Sequence, residues 1–584
     1  MSYWKATIEE LIEVCRGERN ATLLLENCRL INVLTGEIHE ASIGVYKDRI
    51  AYIAEKIVED VRAVERIDLK GRYVSPGFID SHIHVESSMV TPRRLAEAIL
   101  PRGVTCIAAD PHEIANVLGT RGVEIMAELS RSLPLKVYLW IPTCIPSVIG
   151  VETAGAEVYA GDIASMLREG YAIGLGEVMD YLGLLKLDRR IVDIVKVGRA
   201  YGKVIDGHAP LLSGRLLDGY ISTGISADHE VFSFEEALEK VRRGLYVKIR
   251  RYLLESRGFV EGFKRIPDRS RLLLATDDTP PDILEFEGHM DALIRRAIEL
   301  GLDPVEAIQA ATIRPASHLR LEDLGAIAPG RIADIVVLED LEKFKVKMVY
   351  TDGRLIVDDG RLIVPIESRS LPSDALNTVK IGKLTIDDFK IKAPIIDGYA
   401  EARILRVKGL ETEIFIDKLR VEYGVVDPGR YAYIAVVERH GRSGGLTVGF
   451  VDGLGLREGA IASTVAHDSH NIVVAGRKLD DIVFAVDKLR EIQGGYIAVR
   501  DGEILAMVRL PIAGLMSDEP LSIVANELRK FREAEYSLGI IDPYPIPMIS
   551  LLALPVIPHA RITDKGIYDV DRGELLNIIV RYVV

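Results

Sequence analysis

Cysteine is scarce: Cys15, Cys28, Cys106 and Cys144 are the only four in 584 residues, and no two form a C-x-x-C pair. A disulfide-stapled fold is thereby excluded, and a reduced, cytoplasmic protein is expected. The N-terminus has no basic segment followed by an apolar one, so no signal peptide is expected. Nor does any apolar stretch approach the ~18 residues that a membrane span requires. Positive charge is in deficit, with 73 Lys and Arg against 87 Asp and Glu and a net charge of −14. A nucleic-acid polymer is bound through a basic surface that displaces counterions, so the deficit points instead to a small substrate. Repeats and low-complexity segments are missing too, which leaves compact, non-repetitive domains.

What the chain has in quantity is apolar residues, 48% of the total. A chain of this length exceeds one core and divides into about three or four domains at ordinary domain sizes. Residues 5–16 carry Ile8, Leu11, Ile12 and Cys15 at helical spacing and predict a short packing helix. From 21 to 67 come β-rich runs broken by Gly, Asn and Asp, and matching runs return between 325 and 370. A small β-sandwich built from both flanks is expected. Between Tyr73 and Leu324 the texture is strand, loop, helix, repeated, with strands ending near His84, Ala109, Pro142, Glu177, His208, His229, Ile249 and Asp277. Helices are expected over Pro92–Leu100, Ile114–Ser130, Arg190–Tyr201, Phe234–Arg243 and Met290–Leu300. Eight such units in about 250 residues fit a (β/α)8 barrel, whose active site lies at the C-terminal ends of its strands. Beyond about 375, β-rich runs mix with helical ones at Asp480–Gln493 and Ser522–Leu538, as in an α+β domain. The expected α/β organisation is a helix and first sandwich part over 1–72 and the barrel over 73–324. The second sandwich part follows over 325–372, and the C-terminal α+β domain over 373–584.

The stretch from Tyr73 to Thr91 holds His82 and His84, which share one face of a strand because side chains at i and i+2 point the same way. Two imidazoles so placed can converge on one metal ion. Glu177, His208, His229 and Asp277 each end a strand of their own. Any one of these histidines alone could equally be an ordinary buried polar residue, but six suitable groups at successive strand ends are hard to obtain by chance. Together they suffice for two divalent ions if one carboxylate bridges, and such a pair acidifies a shared water. Asp277, facing the strand mouth, is placed to take that water's proton and pass it to a leaving nitrogen, while Thr276 and Asp278 are expected to turn the other way. His112, within Asp110-Pro-His-Glu, either contacts substrate or caps its loop. His289 is equally open, and His39, His318, His440 and His559 are read as structural or exposed. In the last domain, Ala466-His-Asp-Ser-His-Asn471 lies between apolar runs and is expected to present His467 and His470 to the barrel mouth. A second metal site and a plain turn are its alternatives.

The run Pro76-Gly-Phe-Ile-Asp-Ser-His-Ile-His, with His208, His229 and Thr276-Asp277 downstream, resembles the amidohydrolase superfamily. The fuller Asp80-Ser-His-Ile-His-Val-Glu-Ser-Ser-Met, with Gly176-Glu177-Val-Met, Gly207-His208-Ala-Pro, Asp228-His229-Glu and Thr276-Asp-Asp, resembles its adenine deaminase branch across nearly the whole chain. That resemblance implies hydrolysis of adenine to hypoxanthine and ammonia by a metal-activated hydroxide, in purine salvage, with two ions of manganese or iron. It implies metal ligands His82, His84, Glu177, His208, His229 and Asp277. Many members of the superfamily bridge their metals with a carboxylated lysine on strand four, where this chain has Glu177. The H-x-E with P-C-x-x-C signature of single-zinc base deaminases is absent, which excludes their chemistry. Attack at C6 of a purine puts negative charge on the ring, so Glu86 and Asp278 are candidates to share proton transfer with Asp277. Ser87 and Ser88 are candidates to bond the base edge, or else to cap the helix near Pro92. The expected partner is adenine, without nucleic-acid polymer or membrane, and a homo-oligomer is compatible with this. Rival readings are another cyclic amide or amidine hydrolase on the same scaffold, an inactive metal-binding scaffold, or a nucleic-acid editor, the last disfavoured by charge.

Overall fold

A computed structural model of the chain describes residues 5–55, 62–409, 411–542, 544 and 546–583. In the middle of the chain, apolar residues occupy successive positions because the strands are hidden on both faces, as parallel strands under helices must be. Strands one to four are Phe78–Ile83, Val104–Ala109, Lys136–Ile141 and Ala172–Val178. Strands five to eight are Val204–Gly207, Ala227–Asp228, Tyr246–Ile249 and Leu272–Leu274. The first five form one parallel sheet in sequence order and the last three another, where a single closed ring of eight was expected. Individual backbone hydrogen bonds cross both gaps. Ser226 N–H donates to Ile205 O at 2.9 Å on one side, and Asp277 N–H donates to His82 O at 2.9 Å on the other. Strand six is only two residues long and the last ladder ends three residues before Asp277, so the first junction rests on one backbone bond, and the second on an isolated parallel bridge from Ile83 to Asp277, in which His84 N–H also donates to Asp277 O at 3.3 Å.

Four of the five expected helices lie within a residue of their limits, at Pro92–Ile99, Arg189–Ala200, Phe234–Arg242 and Met290–Glu299. The fifth divides into His112–Leu118 and Thr120–Ser130, because Gly119 adopts a left-handed φ of 65° between them. The N-terminal helix, Ile8–Cys15, starts from a capping box between Thr7 and Glu10. Its Ile8 and Ile12 are exposed, and Val14 is its buried residue, so the packing face differs from the expected one.

The two flanks meet in one continuous nine-stranded sheet, where a sandwich was expected, and it curls back so that Ile50 N–H donates to Arg331 O at 2.9 Å. Tyr73–Pro76 is its hinge, pairing parallel with Ala21–Asn32 and antiparallel with Ile335–Leu338. The chain leaves that sheet through Gly77, where a Cβ would lie 2.1 Å from Thr105 Oγ1, and enters strand one directly. The sheet next door thus sets the start of the strand that carries His82 and His84.

The C-terminal part is a ten-stranded sheet covered by helices Leu479–Ile492 and Leu521–Ser537. The first helix buries Ile482, Ala485, Val486 and Leu489, a stripe of period 3.6. This sheet docks on the C-terminal ends of the parallel strands. Thr91 N–H donates to Ser517 O at 3.1 Å, and Asn471 Nδ2 donates to Thr153 O at 2.9 Å. Among the described residues no helix is long and apolar enough to cross a membrane.

Candidate metal centre

His82 and His84 both turn Nδ1 away from the strand mouth. His82 Nδ1 lies 3.0 Å from Asp206 Oδ2, and His84 Nδ1 lies 2.9 Å from the carbonyl oxygen of Asp110, which leaves each Nε2 facing inward. Glu177 stands opposite them on strand four. Its register depends on Gly176, where a Cβ would sit 2.3 Å from Asp110 Oδ2, the same oxygen that accepts the Glu177 N–H at 3.2 Å. Glu177 Oε1 is 3.9 Å from His82 Nε2 and 3.5 Å from His84 Nε2, while Oε2 is 2.9 Å from His208 Nδ1 and 3.2 Å from His229 Nε2. One carboxylate therefore serves two nitrogen pairs through separate oxygens. Asp277 Oδ1 completes the first set at 3.3 Å from His82 Nε2 and 3.1 Å from His84 Nε2. Its Oδ2 is held by Arg250 at 2.7 Å. Asp277 has a left-handed φ of 56°, which breaks strand alternation, so Asp278 does not turn away as expected but accepts a hydrogen bond from Ser87 at the same mouth.

These groups carry charges that burial alone would suppress. For Glu177 and Asp277 burial pushes the carboxyl up, but His229 and His208 for the one, and Arg250 and His229 for the other, hold it well below the usual range. Burial likewise opposes a proton on His208, yet Glu177 outweighs it and raises the imidazole to about 9. Protons alone do not satisfy the cluster. His82 Nε2 and Asp277 Oδ1 are close, yet both are buried without a hydrogen-bond partner. Two inward nitrogens and two carboxylate oxygens on one side, and two nitrogens with a third oxygen on the other, are what divalent cations take. The residues fit a metal.

The remaining sequence-predicted groups lie around this cluster. Glu86 is buried, accepts the Ile114 N–H at 3.1 Å through Oε1, and keeps Oε2 without a partner. Burial raises its carboxyl to about 7. Ser88 spends its hydroxyl on the Val85 carbonyl at 2.5 Å and is not brought to the cluster. His112 is the first residue of its helix rather than a loop residue, with Nδ1 3.3 Å from Glu177 Oε1. His467 and His470 reach across from the C-terminal sheet to one carboxylate: Glu113 Oε1 is 2.6 Å from His467 Nδ1, and Glu113 Oε2 contacts His470 Nε2. A small cavity between the two parts is bordered by Glu86, Ser87, Glu113 and His467, with Met89 and Leu515 among its apolar walls.

The amidohydrolase family profile matches residues 73–356, and the adenine deaminase C-terminal domain profile matches residues 410–574. Over 581 residues the chain is 40% identical to adenine deaminase 2 of Carboxydothermus hydrogenoformans, covering 96% of this chain and 98% of that protein. The chain belongs to the adenine deaminase family. Its likeness to the adenine deaminase of Clostridium acetobutylicum is 38% over 576 residues, covering 96% and 98% of the two chains. Among solved structures, the beta-aspartyl dipeptidase of Fervidobacterium islandicum aligns with a TM-score of 0.43 at 16% identity, over 60% of this chain and 100% of that one. Membership makes this a metal-dependent hydrolase fold and implies a divalent metal cofactor, for which the cluster above offers candidate ligand atoms.

Several polar groups of the site escaped the sequence reading. Asp206 and Lys248 are buried beneath the cluster, Arg250 is half-buried beside it, and Asp110, Glu113 and Asp468 surround it. Two signals were present. Lys248 and Arg250 are charged residues at i and i+2 of the apolar strand Tyr246–Ile249 and the residue after it, and Asp206 stands two residues before His208. Glu113 had none, because its partners lie more than 350 positions away in the chain.

Proposed function

We propose that this chain hydrolyses adenine to hypoxanthine and ammonia, as a step of purine salvage in the cytoplasm. Full-length likeness to curated adenine deaminases supports the substrate, and the two-sided contact of Glu177 carries the site. The four cysteines, all unpaired, support a reducing compartment. In this reading residues 73–324 form a closed (β/α)8 barrel, supported by the bonds that cross both gaps between the parallel ladders. Segments 1–72 and 325–372 form the flanking β domain, and 373–584 the α+β domain.

His82, His84, Asp277 and Glu177 Oε1 would hold one divalent ion, and His208, His229 and Glu177 Oε2 a second, with manganese or iron the expected metals. Bound there, the pair would supply the Lewis acidity that makes water a nucleophile at neutral pH and polarises the base. Attack at C6 loads negative charge onto the ring, so N1 must gain a proton and the departing amine another. Asp277, with Oδ1 turned to the metal site, takes the proton of the attacking water on Oδ2, which Arg250 orients, and returns it to the leaving nitrogen. Glu86 Oε2, buried and without a partner at the cavity wall, is the donor for N1 and regains a proton from the C6 hydroxyl as the carbonyl forms. Ser87 and Asp278 form the pair that meets the base edge. His112, and His467 and His470 through Glu113, orient the base and keep bulk water out. Met89 and Leu515 supply apolar cover for its faces.

The test is ammonia release by the purified, Mn²⁺-loaded chain from adenine, adenosine and a panel of cyclic amides. Turnover of adenine is expected. Turnover of a cyclic amide without any of adenine would overturn the substrate assignment.

A further inference from the structure

Lys248 is an ammonium with no exposure to solvent, set in the interior of strand seven. It touches three groups. It contacts Asp206 Oδ2, donates to the Ser81 carbonyl at 3.2 Å, and stands 4.9 Å from the centroid of the Trp140 ring. Asp206, equally buried, turns the same Oδ2 to His82 Nδ1 at 3.0 Å. Trp140 Nε1 donates to the Ser81 carbonyl as well, at 3.2 Å. The residue before His82 and the ring of His82 are thus both gripped from below by one ion pair. The His82 ring in turn stacks on His229, at 4.0 Å between centroids and 22° between planes.

A buried ion pair is a poor stabilising device. Desolvating both charges costs about what their attraction returns, and apolar replacements are often as stable. What the pair does supply is orientation. A carboxylate on Nδ1 fixes that nitrogen as the N–H, so the Nε2 lone pair points at Asp277 Oδ1 and Glu177 Oε1, and the negative charge makes the imidazole a better donor to a cation. Without Lys248, Asp206 would be an uncompensated buried charge. We infer that Asp206 and Lys248 are positioning residues for the metal centre, acting through the tautomer, orientation and basicity of His82. This rests on the reading of His82 as a metal ligand.

The experiment uses the full chain stripped of metal and titrated with Mn²⁺, with free ion followed by its electron paramagnetic resonance signal. Unfolding temperature is measured in parallel. The variant Asp206→Val with Lys248→Met removes both charges at roughly conserved volume. It should keep its metal-free unfolding temperature while binding Mn²⁺ about 10–100-fold more weakly, the range for losing the partner of a ligating histidine. Wild-type affinity in that folded variant would overturn the inference and leave the pair structural. Where the double variant does not fold, Asp206→Asn decides by the same readout, because it keeps size but not charge. Weaker binding supports the inference and unchanged binding overturns it. Lys248→Arg, which keeps the charge, should largely retain wild-type affinity. His82→Ala separates the two claims: if it binds Mn²⁺ like wild type, the ligand assignment itself fails, whereas weakened binding there with normal binding in the double variant refutes only the positioning role.

Discussion

Asp277 combines three roles that pull on one carboxylate. Oδ1 faces two imidazoles, Oδ2 is tied to Arg250, and the backbone is held left-handed by bonds to strand one. Conformations of that kind cost about 1–3 kcal/mol and persist where the surroundings over-determine them. Asp277→Asn keeps shape and hydrogen bonding but cannot accept a proton, so kcat should fall by ~10²–10⁴ with a smaller change in KM. Metal content measured on the same preparation checks the reading, since near-normal kcat with metal bound would move the proton to another group. Burial and neighbouring Asp468 push Glu152 up to about 8 from an ordinary 4.5. Across that window the native carboxyl keeps a proton that the unfolded chain releases, so its contribution to stability falls as pH rises. Glu152→Gln should therefore lose less unfolding temperature between pH 5 and pH 8 than the wild type. An equal or larger loss would show that Glu152 is ionised in the native state at lower pH.

At the scale of elements, strand four and the loop after Ser463 carry the most consequence. Gly176 lets Asp110 approach the backbone and fix Glu177, so Gly176→Ala forces the carboxylate aside. Overpacking of this kind costs about 1–3 kcal/mol, and bound metal should fall with it. A lowered unfolding temperature with unchanged metal content would separate packing from ligand placement. The loop from Ala466 to Asn471 is anchored on Glu113 by His467 and His470, while Arg439, fully buried, contacts the His470 carbonyl from behind. Glu113→Gln removes the charge both histidines share, and a higher KM or lower kcat is expected. Kinetics indistinguishable from wild type would detach the loop from the active site.

Over the whole molecule, the candidate ligand cluster ties together strands one, four, five, six and the end of eight, and the C-terminal sheet lies over its mouth. A cation bound only by the native state stabilises by mass action, by about 4 kcal/mol at a thousandfold excess over Kd. Chelation should lower the unfolding temperature, and Mn²⁺ should restore it. A temperature indifferent to both would mean that the cluster binds no ion.

The sequence by itself determined what local chemistry encodes. Alternation placed His82 and His84 on one face, apolar runs ending in Glu177, His208 and His229 marked the strand ends, and helix periodicity located most helices to within a residue. These signals are short-range, so they are readable along the chain. The tertiary structure alone decided that Glu177 divides its oxygens between two histidine pairs, because that depends on how strands from separate segments face one another. It also decided the turn at Asp277 that brings Asp278 to the mouth, since a left-handed residue breaks the alternation on which the sequence reading relied. Asp206 with Lys248, and Glu113 with His467 and His470, pair across 42 to 357 positions. Such partners are chosen by burial, where a charge must find its counterpart wherever the fold brings one, and no spacing in the chain records that choice.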